Sequence, residues 1–210
     1  MIEIFRFRTQ PLDSNCYVIK DSSSNSAVVV DPGHPRTSAL KFIEENGLNV
    51  EYILLTHRHF DHVLGTAEFA RKTGAKVAIH QLDAVGLESS EDSLFDMFED
   101  YYDVAQDSVS ADVLLSEGDV IEWTGGQIEV IHTPGHSAGS VCFIMGDSIF
   151  TGDTLFERSI GRIDFPTGNE RDMEASLVRL KNLGGDYKIY SGHGEPTTLD
   201  RERKNNIYMK

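Results

Sequence analysis

Thr56-His57-Arg58-His59-Phe60-Asp61-His62 follows directly on the apolar run Tyr52–Leu55 and sets four metal-binding side chains, His57, His59, Asp61 and His62, within six residues. Three imidazoles and a carboxylate crowded at a strand end repel or desolvate one another unless a cation holds them. An ordinary solvated turn is therefore the costlier reading. The run predicts a metal site where a strand gives way to a loop.

Three further positions carry the same signature. His136 sits in Thr-Pro-Gly-His after Gln127–His132, Asp153 in Phe-Thr-Gly-Asp-Thr after Ser148–Phe150, and His193 in Ser-Gly-His-Gly after Tyr187–Tyr190. Each lies just past a short apolar run, at a Gly-rich turn, where side chains from separate strands can converge on one sheet edge. One tetrahedral zinc needs three or four protein ligands, so seven suit two divalent metals sharing a carboxylate. Imidazole and carboxylate without thiolate favour zinc, then iron or manganese, over copper(I) or a cluster. The other histidines read differently. His34 is a solvent-facing turn residue, His80 ends the strand Lys76–Ile79, and His132 supports or packs beside Thr-Pro.

A chain of 210 residues that is 40% hydrophobic can bury one substantial core, and no Pro/Ser-rich linker or repeat divides it, so one domain over 1–210 is expected. The N-terminal Met-Ile-Glu-Ile-Phe-Arg-Phe alternates like a strand, with no basic segment leading into a long apolar one. Neither a secretory signal nor a membrane span is expected, and the location expected is cytoplasmic. Cys16 and Cys142 lie in strand-like runs and read as core thiols rather than a disulfide or ligands. The net charge of −15 opposes nucleic-acid binding, which needs a basic footprint.

Much of that charge is local. Glu88–Asp112 holds nine acidic residues and no Lys or Arg. Leu94, Met97, Phe98, Tyr101 and Ala105 recur in it at helical spacing, which predicts an amphipathic helix with an acidic outer face. Such a helix either packs on the core or forms a lid whose Phe95, Phe98 or Tyr102 overhangs the metals.

The coarse layout is strands near 2–8, 15–20 and 27–31, a helix near 36–46, a strand at 51–55, a helix near 64–72, a strand at 76–80 and a helical stretch to about 105. Strands follow at 119–124, 127–132, 140–145 and 148–151, then a helix near 171–183, a strand at 187–190 and a helix near 199–208. Two batches of strands, each flanked by helices, make an α/β protein with a four-layer αββα sandwich and the metals at one shared edge.

His-x-His-x-Asp-His followed by a separate His, Asp and His resembles the metallo-β-lactamase superfamily over nearly the whole chain. That resemblance implies the same sandwich, with His57, His59 and His136 on one metal, Asp61, His62 and His193 on the other, and Asp153 between them. Asp31, in Val-Asp-Pro-Gly, matches the family's acidic residue that orients the histidine loop; on its own it reads equally as a turn-initiating Asp. Gly161-Arg162-Ile163-Asp164-Phe165-Pro166 resembles the loop of short glyoxalase II-like hydrolases and, more distantly, of persulfide dioxygenases, rather than of antibiotic-hydrolysing relatives. Arg162 and Asp164 there either brace the loop or touch substrate. Full-length glyoxalase II enzymes carry a further C-terminal helical region that grips glutathione, whereas this sequence ends at Lys210, shortly after His193, which leaves the thiol carrier open.

The chemistry implied is hydrolysis of a small-molecule thioester, such as a hydroxyacyl-glutathione, by a hydroxide held between two metals. Asp61 would orient that nucleophile and handle its proton. Two alternatives stand beside it. One is a mononuclear iron persulfide dioxygenase using a set matching His57, His136 and Asp153; the other is a metal-binding protein without turnover.

Overall fold

In the computed structural model, which describes residues 1–210, the chain builds two six-stranded sheets in succession. The first runs in sequence order: β1 (Ile2–Thr9), β2 (Ser14–Asp21), β3 (Ser26–Val30), β4 (Asn49–Leu54), β5 (Lys76–His80) and β6 (Val113–Leu115). Hairpin turns make β1 to β3 antiparallel, while β3 to β6 are parallel and need crossovers. Those are α1 (Ser38–Glu45) after β3, then α2 (Phe60–Val63) and α3 (Thr66–Thr73) after β4. The second sheet begins with an antiparallel meander of β7 (Val120–Trp123), β8 (Gly126–His132), β9 (Val141–Met145) and β10 (Ser148–Gly152). α4 (Glu170–Lys181) then carries the chain to β11 (Lys188–Ser191), parallel to β10, and β12 (Thr197–Thr198) and α5 (Leu199–Asn205) follow.

Strand alternation sorts the apolar side chains into three layers. In β3, Val28 and Val30 face the second sheet and pack with Tyr17, Leu54, Phe143 and Phe150. Ala27 and Val29 face the other way, beneath Leu40 and Ile43 of α1 and Phe69 of α3. In β9, Phe143 points inward while Cys142 and Ile144 meet Met173, Leu177 and Leu180 of α4. Both faces of each sheet are covered, which is why β3 and β9 read as unbroken apolar runs. The result is the expected αββα sandwich. Cys16 and Cys142 are free, buried and in different layers, and burial pushes the Cys142 thiol up to about 11.

The expected helix over 88–105 does not form. Between β5 and β6 the chain instead makes 3-10 turns at Ala84–Leu87, Phe95–Met97 and Glu99–Tyr101, with Leu94 left-handed at φ 67° between the first and second. The same spacing that aligned the apolar stripe also stacks carboxylates at i,i+4: Glu88 on Asp92, Asp92 on Asp96, Asp96 on Asp100, Glu99 on Asp103, Asp103 on Asp107. Each like-charge pair costs a helix a few tenths of a kcal/mol, and no Lys or Arg in the segment offsets them. Leu94 and Phe95 are buried, whereas Met97 and Tyr101 of the supposed stripe are 61% and 75% exposed. The short strands β6 and β12 also went unforeseen.

Candidate metal centre

All seven expected side chains arrive at one edge of the sandwich. The first sheet contributes His57, His59, Asp61 and His62 from the end of β4 and from α2; the second contributes His136 beyond β8, Asp153 beyond β10 and His193 beyond β11. α2 is only four residues long, and it begins where the Phe60 N–H donates to the Ser93 carbonyl at 3.0 Å. The His193 loop is stitched to the first sheet. Asn15 N–H donates to the Gly192 carbonyl (2.7 Å), and Arg6 Nη1 donates to the Gly194 carbonyl (2.8 Å).

Donor atoms cluster in two sets. The ligand atoms of His57, His59 and His136 lie within 4.8 Å of one another, as do those of Asp61, His62 and His193. Asp153 stands between the sets: Oδ1 is 3.4 Å from His62 Nε2, while Oδ2 is 3.5 Å from His136 Nε2 and 3.6 Å from His193 Nε2. Two ligands at zinc's usual bond length and tetrahedral angle stand roughly 3.3 Å apart. His62 Nε2 to Asp61 Oδ2 (3.4 Å), His193 Nε2 to Asp61 Oδ2 (3.2 Å) and His62 Nε2 to His193 Nε2 (3.3 Å) match that spacing. His59 Nδ1 and His136 Nε2 are closer, at 2.8 Å. His57 Nε2 and Asp153 Oδ1, both facing the sets, are buried without any hydrogen-bond partner. Buried polar atoms are normally paired, so this donor set fits metal ions.

The histidines are aimed by what holds their outer nitrogens. Asp31, 2% exposed, accepts from the Thr56 N–H at Oδ1 (2.8 Å) and from the Thr56 hydroxyl at Oδ2 (2.6 Å); Oδ2 also accepts from His62 Nδ1 (3.0 Å). With its proton given to Asp31, the Thr56 hydroxyl accepts from His57 Nδ1 at 3.0 Å. His136 Nδ1 donates to the Arg162 carbonyl at 2.7 Å. In all three rings Nδ1 is the donor, which leaves Nε2 as the nitrogen a metal would take. Of the two readings of Asp31, orienting the histidine loop is the one its bonds support.

Electrostatics divides the sets. Burial, reinforced by the neighbouring imidazoles, holds His57 well below the usual histidine range, and burial with His136 does the same to His59. Burial also opposes a charge on His62 and His193, but the carboxylates of Asp61 and Asp153 outweigh it and raise both. Burial likewise opposes ionisation of Asp61, yet His62 and His193 keep it well below the ordinary carboxylate range.

A second buried carboxylate was not foreseen. Asp83, 0% exposed and three residues past β5, accepts from the Arg58 N–H (3.1 Å) and the Ser137 hydroxyl (2.5 Å) at Oδ2, and from the Gly139 N–H (2.9 Å) at Oδ1. It ties the loop between His57 and His59 to the loop carrying His136. Gly192 is likewise part of the site, since a Cβ there would overlap Asp153 Oδ1 and His62 Cε1. The other histidines stand apart: His34 is half-buried against Tyr102, and His80, 3% exposed, stacks on His132 at 4.2 Å and 10°.

Above the donors lies a cavity of about 330 Å³ walled by Leu12, Phe60, Leu94, Phe98, Phe156 and Phe165. Phe98 thus comes from the acidic segment to the cavity, whereas Phe95 and Tyr102 pack behind Phe60. Arg162 lies 3.7 Å over the Phe165 ring and pairs with Asp164 through Nε and Nη2, both at 2.7 Å.

Residues 9–193 match the family model of the metallo-beta-lactamase superfamily, and the chain belongs to that superfamily. The hydroxyacylglutathione hydrolase GloC of Haemophilus influenzae is 34% identical over 206 residues, 93% of this chain and 92% of its own length. Among solved structures, BLEG-1 B3 metallo-beta-lactamase superposes with a TM-score of 0.90 at 28% identity, covering 100% of both chains. TTHA1623 in a di-iron-bound form superposes with a TM-score of 0.84 at 32% identity, over 97% of this chain and 99% of that one. No helix is long and apolar enough to cross a membrane.

Proposed function

We propose that the protein is a binuclear metal-dependent hydrolase that cleaves a small-molecule thioester. The observation that carries the reading is Asp153, whose two oxygens face donors of both sets at 3.4–3.6 Å. His57, His59 and His136 would hold one ion, Asp61, His62 and His193 the other, and Asp153 would bridge them. The similarity to GloC supports a thioester substrate, and the di-iron form of TTHA1623 supports iron beside zinc as the metal. When bound, the ions supply Lewis acidity and bring the pKa of a coordinated water toward 7.

The chain's own groups do the rest. Asp61 Oδ2 faces His62 and His193, and its other oxygen is engaged by no donor of the protein and is free to take the proton of the attacking water. Asp31 and Thr56 keep His62 and His57 in the ligating tautomer. The Arg162 carbonyl does the same for His136. The apolar wall limits water around the scissile carbonyl.

Elemental analysis of metal-replete protein, run with a thioester panel that includes S-lactoylglutathione, tests this. About two ions per chain with thioester turnover is expected. One iron per chain with oxygen uptake and no thioester cleavage would replace it with the mononuclear oxygenase. Nitrocefin belongs in the same panel, because BLEG-1 is described as a B3 metallo-beta-lactamase.

A further inference from the structure

The walls of the metal cavity carry information about the substrate that the donors do not. Six apolar or aromatic residues surround the opening: Leu12 from the β1–β2 turn, Phe60 from α2, Leu94 and Phe98 from the acidic segment, Phe156 and Phe165 from the loop after β10. Phe98 stacks on Phe60 at 4.9 Å and meets Phe165 edge-on at 6.4 Å and 86°, so the aromatic surface passes continuously from one wall to the other.

Charge is arranged the other way. The one Lys or Arg lining the cavity, Arg162, is engaged bidentately by Asp164 and laid flat on Phe165, so its charge is already met within the loop. Arg58, beside the donors in sequence, is 5% exposed and turns toward Asp92 and Thr167. No unpaired cation therefore lines the cavity to receive a second anionic group, and the acidic segment beside Phe98 repels one. The volume also sets a limit. About 330 Å³ is roughly twice the ~150 Å³ apolar cavity that takes up benzene, which is room for an acyl chain of hexanoyl or phenylacetyl size and not for a peptide-sized thiol as well.

From this juxtaposition of an aromatic wall, a self-paired arginine and a small volume we infer that the hydrolase prefers thioesters of apolar acyl groups, with the acyl chain in the cavity and the thiol carrier outside. Phe98 and Phe165 are the residues that set this preference. The inference rests on the hydrolase reading for its kinetics but not for its binding.

The test uses the full-length, metal-replete protein and one neutral thiol, N-acetylcysteamine, esterified with acetyl, butyryl, hexanoyl, phenylacetyl, lactoyl and succinyl groups. If each buried methylene contributes its usual transfer free energy, kcat/KM should rise roughly three- to fourfold per methylene from acetyl to hexanoyl. Lactoyl and succinyl thioesters should fall below butyryl. Phe98→Ala and Phe165→Ala should both flatten the chain-length slope at wild-type metal content, which a purely structural role would not do. A flat wild-type slope, lactoyl or succinyl ahead of hexanoyl, or a wild-type slope in both variants would overturn the inference. Calorimetric titration with S-alkyl thioethers of the same thiol separates the two claims. Affinity that grows with chain length supports the apolar cavity even if no thioester turns over, and affinity independent of chain length overturns it.

Discussion

Asp31→Asn tests the wiring of the metal centre without removing a donor. Asp31 has φ 52°, a left-handed conformation that asparagine tolerates about as well as aspartate, so the backbone should hold. The asparagine oxygen can still accept the Thr56 N–H. Its NH2 group then stands where Oδ2 accepts from His62 Nδ1 and from the Thr56 hydroxyl. One oxygen that accepted two bonds has become a group that donates two. His62 Nδ1 must now accept, which moves its proton to Nε2, the atom facing Asp61, Asp153 and His193. The reversal runs on through Thr56 to His57, whose Nδ1 must accept from the turned hydroxyl. The Thr56 N–H bond is kept and the other three survive with their direction reversed, so metal-free stability should stay within about 1 kcal/mol of wild type. Metal affinity should fall about 10- to 100-fold, or about 1.4–2.7 kcal/mol, the usual cost of losing an orienting partner. Competition against a calibrated chelator, with thermal denaturation of the metal-free protein, reads both quantities. Wild-type affinity in Asp31→Asn would refute the tautomer argument.

Asp83→Ala strands the Arg58 and Gly139 N–H groups in a dry site, while the Ser137 hydroxyl keeps the Ser140 hydroxyl at 2.8 Å; at about 1–3 kcal/mol for each stranded group, partly relieved by relaxation, urea denaturation should report a loss of about 2–4 kcal/mol. An unshifted midpoint would mean those groups find other partners. Gly192→Ala should lower metal content, measured by mass spectrometry, although it changes no donor, because its Cβ drives into Asp153 and His62; full occupancy would contradict that. Burial, with the His132 ring beside it, depresses His80 to about 4. Unfolded histidine titrates near 6.5, so between pH 6.5 and 4 the unfolded chain binds the extra proton and stability falls on acidification, by about 1–2 kcal/mol at pH 5 once partial solvation is allowed for. His80→Asn should flatten that part of the stability–pH curve, and an identical curve would remove His80 as its source.

The donors were legible because their signal is local: four in six residues at one strand end, then three more at the same kind of turn. The sandwich was legible for a related reason, since strands covered on both faces leave apolar runs, as in β3 and β9. Asp83 was not. In His-Gln-Leu-Asp-Ala it looks like any turn aspartate, and its partners Ser137 and Gly139 are more than fifty residues away. In the acidic segment the apolar periodicity points to a helix, but carboxylates repeat at the same spacing and oppose it. β12 has two residues and leaves no periodicity to find.

The first sheet is complete by Leu115 and the second begins at Val120, so the chain is divided between them like the two leaves of a hinged case. The donors are divided too, four on one leaf and three on the other, with Asp153 on the second reaching His62 on the first. An ion bound there is a clasp. It closes a loop from His57 to His193, through most of the sequence, and neither leaf alone offers a full set for either ion. Metal affinity would therefore depend on how well the two sheets keep their packing, and a substitution deep between them, at Phe143 or Phe150, would loosen the clasp from a distance.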